Sequence, residues 1–386
     1  MRTAPPISLY IHIPWCVKKC PYCDFNSHEQ RGASQERAYV DALLADLDAD
    51  LAQFPWLGER RIETVFFGGG TPSLFAPDSI ERIVDGARAR LAFVDDCEIT
   101  LETNPGTVEH GRFDGYARAG VNRISFGVQS FNNAALKRLG RIHDADEARR
   151  AVAEAQAAGI AEINIDLMYA LPEQTLQQAL FDVEQALLLA PTHLSHYQLT
   201  LEPNTVFAAR PPKLPDDDSA WDMQEQCQAL LASASFPQYE VSAYAAAAHQ
   251  CRHNLNYWRF GDYLGIGAGA HAKLSDVHGQ RILRPWKLKS PRAYLDNAAS
   301  ASRLGGLNEI EQAALPFEFM LNALRLNEGF SISQLTATTG LTRAHLATPL
   351  QQALDRGWLE ESSNEHFRPS ELGSRFLNNL IELFLP

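Results

Sequence analysis

The feature that most restricts how this chain can fold is an alternation that recurs six times between Ser8 and Leu201: a short β-branched or apolar run, a turn, then a stretch with helical spacing. The strand candidates are SLYIHI, IETVFF, CEITLE, VNRISFG, EINIDLM and HLSHYQLTL. Between them lie helical stretches such as SQERAYVDALLADLDADLAQF, where Ser34 is placed to cap the N-terminus, DEARRAVAEAQAAG, closed by Gly159, and LQQALFDVEQALLLA. Strands that alternate with helices predict parallel βαβ units. Six units predict an α/β partial (β/α)6 barrel rather than a complete eight-fold one; a doubly wound open sheet shares the same pattern.

A Pro-rich and acidic stretch, ARPPKLPDDD (209–218), interrupts the alternation. The expected division is a barrel over 1–210, a linker and mixed α/β region over 211–308, and a mostly helical, winged-helix-like domain over 309–386. Winged helices are usually associated with DNA. From residue 310 onward, however, this chain carries nine acidic and five basic side chains, so the basic footprint of a DNA reader is missing and a packing or lid module is expected. The whole chain has 34 basic and 47 acidic residues, a net charge of −13, which argues against nucleic-acid binding through its overall field. No apolar run reaches the roughly 18 residues of a membrane span, and the N-terminus lacks the apolar stretch of a signal peptide. The expectation is a cytoplasmic protein, in which closely spaced cysteines are ligands or reactive thiols rather than disulfides.

Three of the six cysteines sit in WCVKKCPYCDF, as Cys16, Cys20 and Cys23. This C-x3-C-x2-C run has three readings: a zinc site, a set of buried thiols, or an iron–sulfur cluster. Structural zinc takes four ligands, although a three-ligand catalytic zinc has no forbidden spacing. Three thiolates on a four-iron cube leave one iron open to chelate a substrate. The strand ends supply a separate signal, because barrel enzymes place their chemistry there. FFGGGTP follows the second strand with Gly68, Gly69 and Gly70, Glu102 follows the third, Gln129 the fourth, with Arg141 after it, and Asp166 ends the fifth. Each alone is a turn or a solvated polar residue; together they mark a site.

The run C-x3-C-x2-C after a first barrel strand, with Tyr22 before the last cysteine, resembles the radical SAM superfamily. YIHIPWCVKKCPYCDF, GGGTPS, ETNP, SFGVQS, GRIHD and DLMYALP resemble the oxygen-independent coproporphyrinogen III oxidase-like subgroup, and the C-terminal part resembles its appended domain. The resemblance implies a 4Fe–4S cluster on Cys16, Cys20 and Cys23. Its open iron would hold S-adenosylmethionine and, on reduction, cleave it to a deoxyadenosyl radical. By the same resemblance Gly69, Gly70 and Thr71 contact the methionine part, Glu102, Gln129, Arg141 and Asp166 hold the adenosyl ligand, and Tyr10 and Tyr22 lie beside it. His12 either lines the site or finishes its strand.

Two branches of the subgroup differ at one position. The decarboxylating oxidases carry a fourth cysteine two residues after the third; this chain has Phe25 there. The heme-chaperone branch carries H-N-x-x-Y-W, present here as HNLNYW with His253, Asn254, Tyr257 and Trp258. An imidazole from His253 and aromatic faces from Tyr257 and Trp258 suit a heme, with Cys251 a weaker thiolate candidate and His271, in YLGIGAGAHA, a pocket-lining one. Cys97 and Cys227 read as buried small residues. The leading expectation is a heme chaperone that delivers heme to a cytochrome or other heme protein and draws electrons from a flavodoxin or ferredoxin, with dimerisation and transient contact with membrane proteins left open. The alternatives are a coproporphyrinogen oxidase, disfavoured by Phe25, and a heme-sensing winged-helix regulator, disfavoured by the acidic C-terminal module.

Overall fold

Six parallel strands follow one another in chain order across the central sheet: β1 (Ile7–Ile13), β2 (Arg61–Gly69), β3 (Ala92–Thr103), β4 (Arg123–Gln129), β5 (Glu162–Tyr169) and β6 (His193–Gln198). They coincide with the six runs expected from the sequence. The structure is a computed structural model and describes residues 3–30, 35–106, 111–362 and 365–386. The strand interiors are buried on both faces, most completely in β4, because helices cover the sheet from outside. Those helices are α1 (Glu36–Gln53), α2 (Pro77–Arg88), α3 (Phe113–Arg118), α4 (Ala145–Ala157) and α5 (Leu176–Leu188). Asp144 and Glu147 close a capping box on α4, and Thr175 and Gln178 close one on α5. Gly159 adopts φ +83° just past the end of α4. Ser34 lies outside the described residues, and Gln35, at the cap position of α1, makes no side-chain capping bond.

The sheet does not stop at six strands. Residues 211–308 add β7 (Gln238–Glu240) and β8 (Ala243–Ala245), antiparallel beyond β6, and β9 (Asp262–Ile266), parallel beyond β1. The strand order is therefore β9-β1-β2-β3-β4-β5-β6-β8-β7, open between its two edges among the described residues. The stretch expected as a linker and mixed α/β region thus contributes three strands to the central sheet. Its strand β11 (Arg281–Lys287) lies in a three-stranded antiparallel sheet with β10 (Leu274–Asp276) and β12 (Leu304–Glu309). From β11, the buried Lys287 ammonium reaches Asp46 and Asp50 of α1 at 2.5 and 2.6 Å, and Arg303 reaches Asp50 at 2.7 Å.

The C-terminal module has helices over Leu315–Ala323, Ile332–Thr339 and Ala347–Asp355, a small antiparallel sheet, and two short final helices. Phe319, Phe330 and Phe367 centre its own core, which also takes in Phe260 and Ile282 from the middle region. The middle region therefore belongs to the barrel by its hydrogen bonds and to the C-terminal module by part of its packing.

Candidate functional site

The cysteine loop leaves β1 and is lashed to the end of β2 by two backbone bonds, from Gly70 N to Ile13 O at 2.8 Å and from Thr71 N to Trp15 O at 2.7 Å. This close approach explains the glycines. A Cβ on Gly70 would lie 2.5 Å from the Trp15 carbonyl, and Gly69 sits at φ +117° with a Cβ position against the His12 ring. Within the loop, Lys19 donates to the Phe25 and Ser27 carbonyls at 3.0 and 3.1 Å. Cys23 N–H closes a turn on Cys20 O at 3.2 Å.

Cys16, Cys20 and Cys23 line one cavity of about 670 Å³ at the C-terminal ends of the strands, together with Tyr22, Gly69, Gly70, Glu102, Gln129, Arg141 and Asp166. The residues singled out from four strand ends and from the loop thus meet around one space. Arg141 donates to Asn104 Oδ1 at 2.6 Å and to the Gly127 carbonyl at 2.5 Å, and points Nη1 at Cys20 Sγ, 3.7 Å away. Gln129 is buried at φ 73°, a left-handed backbone that costs a non-glycine residue about 1–3 kcal/mol; Tyr197 donates to its Oε1 at 2.9 Å. Glu102 accepts from Gly69 N at 3.1 Å, and Asp166 accepts from Asn164 Nδ2 at 2.7 Å. Burial, then the nearby Asp166, pushes the Glu102 carboxyl up to about 8. Burial also raises Asp166, against hydrogen bonds from Asn164, Ser195 and Ser125. Two desolvated carboxyl groups facing backbone and guanidinium donors suit a ligand that carries both a cationic and an anionic group.

Thr71 lies at the edge of this space, accepting from Asn104 Nδ2 at 2.7 Å, and its hydroxyl interacts with the Cys16 thiol, which burial raises to about 11. Among the described residues no three Cys, His, Asp or Glu side chains converge on a single ion position. Cys16, Cys20 and Cys23 line one cavity; a four-iron cube takes one thiolate per iron, so three thiols would leave one iron without a protein ligand. Phe25, where a fourth cysteine stands in the oxidases, is 62% exposed on the rim.

A second cavity, of about 560 Å³, adjoins the first and shares Phe25, Gly69 and Glu102 with it. Tyr10, Tyr257, Trp258 and Tyr263 make it aromatic. Tyr10, expected beside the cluster-bound ligand, lines this second cavity next to the shared Gly69 and Glu102, and its OH meets His12 Nδ1 at 3.0 Å. His12 also lines it, with Nε2 engaged by the Asn26 carbonyl at 3.0 Å.

The HNLNYW element forms a short helix, Arg252–Trp258, whose residues divide between three environments. Tyr257 and Trp258 line the aromatic cavity. Asn254 instead lines an interior polar cavity of about 250 Å³ with Arg123, Asn164 and Cys251. His253 lines neither of the two large cavities and is 1% exposed. Its Nδ1 is 2.8 Å from Thr64 Oγ1 and its Nε2 is 2.9 Å from Tyr257 OH. Because the Thr64 hydroxyl donates to Ser8 at 2.7 Å, the network assigns the imidazole proton to Nδ1 and leaves Nε2 accepting from the tyrosine. Burial lowers its pKa to about 3, so the ring is neutral. As an iron ligand it is therefore corrected: the i,i+4 spacing sets its ring edge-on to Tyr257 and tilted against Phe66, with both nitrogens occupied. Cys251 is likewise inside, near Glu98, with burial raising its thiol to about 12.

Sequence reasoning missed Asn104, which ties Thr71 to Arg141, although it lies within ETNP. It also missed Tyr197 and, from the C-terminal module, Arg325, which lines the first cavity, lies 4.3 Å over the Trp258 ring and pairs with Glu240 at 3.1 Å. No local pattern marks an arginine that arrives from another module.

Proteins named heme chaperone HemW, from Escherichia coli K12 and Haemophilus influenzae, are 51% and 50% identical to this chain over 100% of its length and 100% and 99% of theirs. The chain belongs to the HemW family. Residues 10–185 match the radical SAM superfamily and residues 310–376 the HemN C-terminal domain. The fold is similar to that of coproporphyrinogen III oxidase (HemN) of E. coli, with a TM-score of 0.82 over 99% of this chain and 90% of that one; at 23% identity the likeness is one of fold. No helix among the described residues is long and apolar enough to cross a membrane.

Proposed function

We propose that this chain is a heme chaperone: it holds a 4Fe–4S cluster on Cys16, Cys20 and Cys23, binds S-adenosylmethionine against Glu102, Gln129, Arg141 and Asp166, and carries heme in the adjoining aromatic cavity for delivery to target heme proteins such as respiratory cytochromes. The observation that carries this is the pair of cavities with a common wall, one lined by thiols and buried polar groups, the other by aromatic rings. An aromatic cavity of this size falls in the range of small-molecule and cofactor sites. The relatives named heme chaperone, half identical over the full length, support the same reading.

In this account the cluster, when bound, supplies an open coordination position and an electron. The protein's own residues bind and orient. Gly69 and Gly70 let backbone approach a ligand, Arg141 neutralises negative charge next to Cys20, and Glu102 with Asp166 receives a cationic group once deprotonated. Arg325, lying over Trp258, brings the C-terminal module to the cavity mouth as a cover. Phe25, an exposed ring on the rim, offers no further thiol there, which supports delivery rather than porphyrinogen decarboxylation.

The test is anaerobic cluster reconstitution, hemin titration and assay of coproporphyrinogen turnover on the same preparation. The expected result is iron and sulfide at one cube per chain, saturable hemin binding and no turnover. Turnover without hemin binding would replace this reading with the oxidase.

A further inference from the structure

With His253 enclosed, the aromatic cavity needs another group to face a heme iron. Three histidines approach it. His253 stands behind Tyr257, and His12 spends its ring nitrogens on Tyr10 and Asn26. His271 is exposed, lines the cavity directly, and makes no ring hydrogen bond with any described residue. Its backbone is pinned by a bridge to Trp286 of β11, and its ring lies at 20° to the Trp286 indole with centroids 6.3 Å apart, which limits the directions it can face. Partial burial, then the nearby Lys289 and Arg284 charges, lowers its pKa, which favours the neutral imidazole that has a lone pair to give. Lys289, exposed on the same rim, places an ammonium where a carboxylate on the ligand's edge can meet it.

We propose that His271, and not His253, is the protein's axial ligand to heme iron, with Lys289 pairing a heme propionate. The proposal rests on the heme-carrying reading above. His253 becomes a positioning residue that fixes the Tyr257 ring through its hydroxyl. Coordination is by a neutral nitrogen lone pair, so no proton or electron is required.

The test titrates cluster-loaded wild type, His271→Ala and His253→Ala with hemin and, separately, with metal-free protoporphyrin IX. Soret difference spectra and electron paramagnetic resonance report the iron's ligands. The expected result is that His271→Ala loses hemin affinity by about tenfold or more and changes the iron spectrum, that added imidazole restores the spectrum, and that metal-free protoporphyrin binds wild type and variant alike. His253→Ala, which frees the Tyr257 ring, is expected to weaken hemin and the metal-free ring to the same extent, without the loss of an iron ligand that His271→Ala shows. An unchanged iron spectrum in His271→Ala, or an equal loss of the metal-free ring, overturns the assignment while leaving heme carriage intact. Failure of wild type to bind hemin at all overturns the reading beneath it.

Discussion

The two cavities at the barrel mouth are similar in volume, about 670 and 560 Å³, and opposite in construction. The first is built by the repeating unit of the fold: successive βα units deliver polar residues at their strand ends, and the β1–α1 loop delivers three thiols. The second shares the strand-end residues Gly69 and Glu102 but is otherwise assembled from pieces that have no regular spacing: β1, the tip of the cysteine loop, the Arg252–Trp258 helix, β9 and the turn after it, and Lys289 and Asn322 from farther along the chain. A site made by a repeat announces itself through position in the repeat; one made by convergence of distant segments does not.

That contrast predicts separable losses. Replacing Cys16, Cys20 or Cys23 with alanine removes a cluster ligand, and the expected outcome is near-complete loss of bound iron and of S-adenosylmethionine binding in an anaerobic assay. Hemin affinity should survive in the same protein, since no thiol lines the aromatic cavity. Loss of both would merge the two sites into one.

The next effect concerns how firmly the middle region is part of the barrel. Lys287→Met leaves Asp46 and Asp50 buried, with Arg303 as their remaining cation, and should destabilise the fold by about 3–5 kcal/mol in denaturant unfolding. A change below about 1 kcal/mol, the size expected of an exposed ion pair, would mean that residues 211–308 fold as a separate appendage after all. A smaller effect is expected for Tyr257→Phe, which leaves His253 Nε2 without its donor and should cost about 1–3 kcal/mol, measured the same way.

The boundary between the legible and the hidden follows from these geometries. The six parallel strands, the cysteine loop and the strand-end residues Glu102, Gln129 and Asp166 are readable because periodicity and position after a strand fix where a side chain points. Tyr257 and Trp258 are legible as aromatic lining, but the same helix turns His253 and Asn254 inward, and the string HNLNYW does not show which face a seven-residue helix buries. Tyr10 lines the second cavity for a related reason: alternation along β1 sets its face, yet the space over that face depends on β9, a strand from the far side of the sequence. Ser8, Thr64 and Asn256 link His253 to the Asp262 carbonyl through hydrogen bonds contributed by three separate elements, and nothing in their local sequence marks them for it.

The smallest expected effect is the dependence of ligand binding on pH. Below about pH 8 Glu102 holds a proton in the free protein, and a cationic ligand must displace it. S-adenosylmethionine affinity should therefore rise by up to about tenfold per pH unit on approaching pH 8 and level off above it. Glu102→Gln should flatten the profile, as calorimetry at several pH values would show. The same raised pKa makes Glu102 a stabilising group only while protonated, so its contribution to stability declines as pH climbs from 4.5 through 8.

The shared wall gives the most direct test. Phe25 borders both cavities and is exposed, so Phe25→Asp should leave the fold intact. Hemin titration of the cluster-loaded variant should show affinity weakened by roughly ten- to a hundredfold, the equivalent of about 1.5–3 kcal/mol for an apolar ring withdrawn from contact. Wild-type hemin affinity in that variant would contradict the placement of heme beside the cluster.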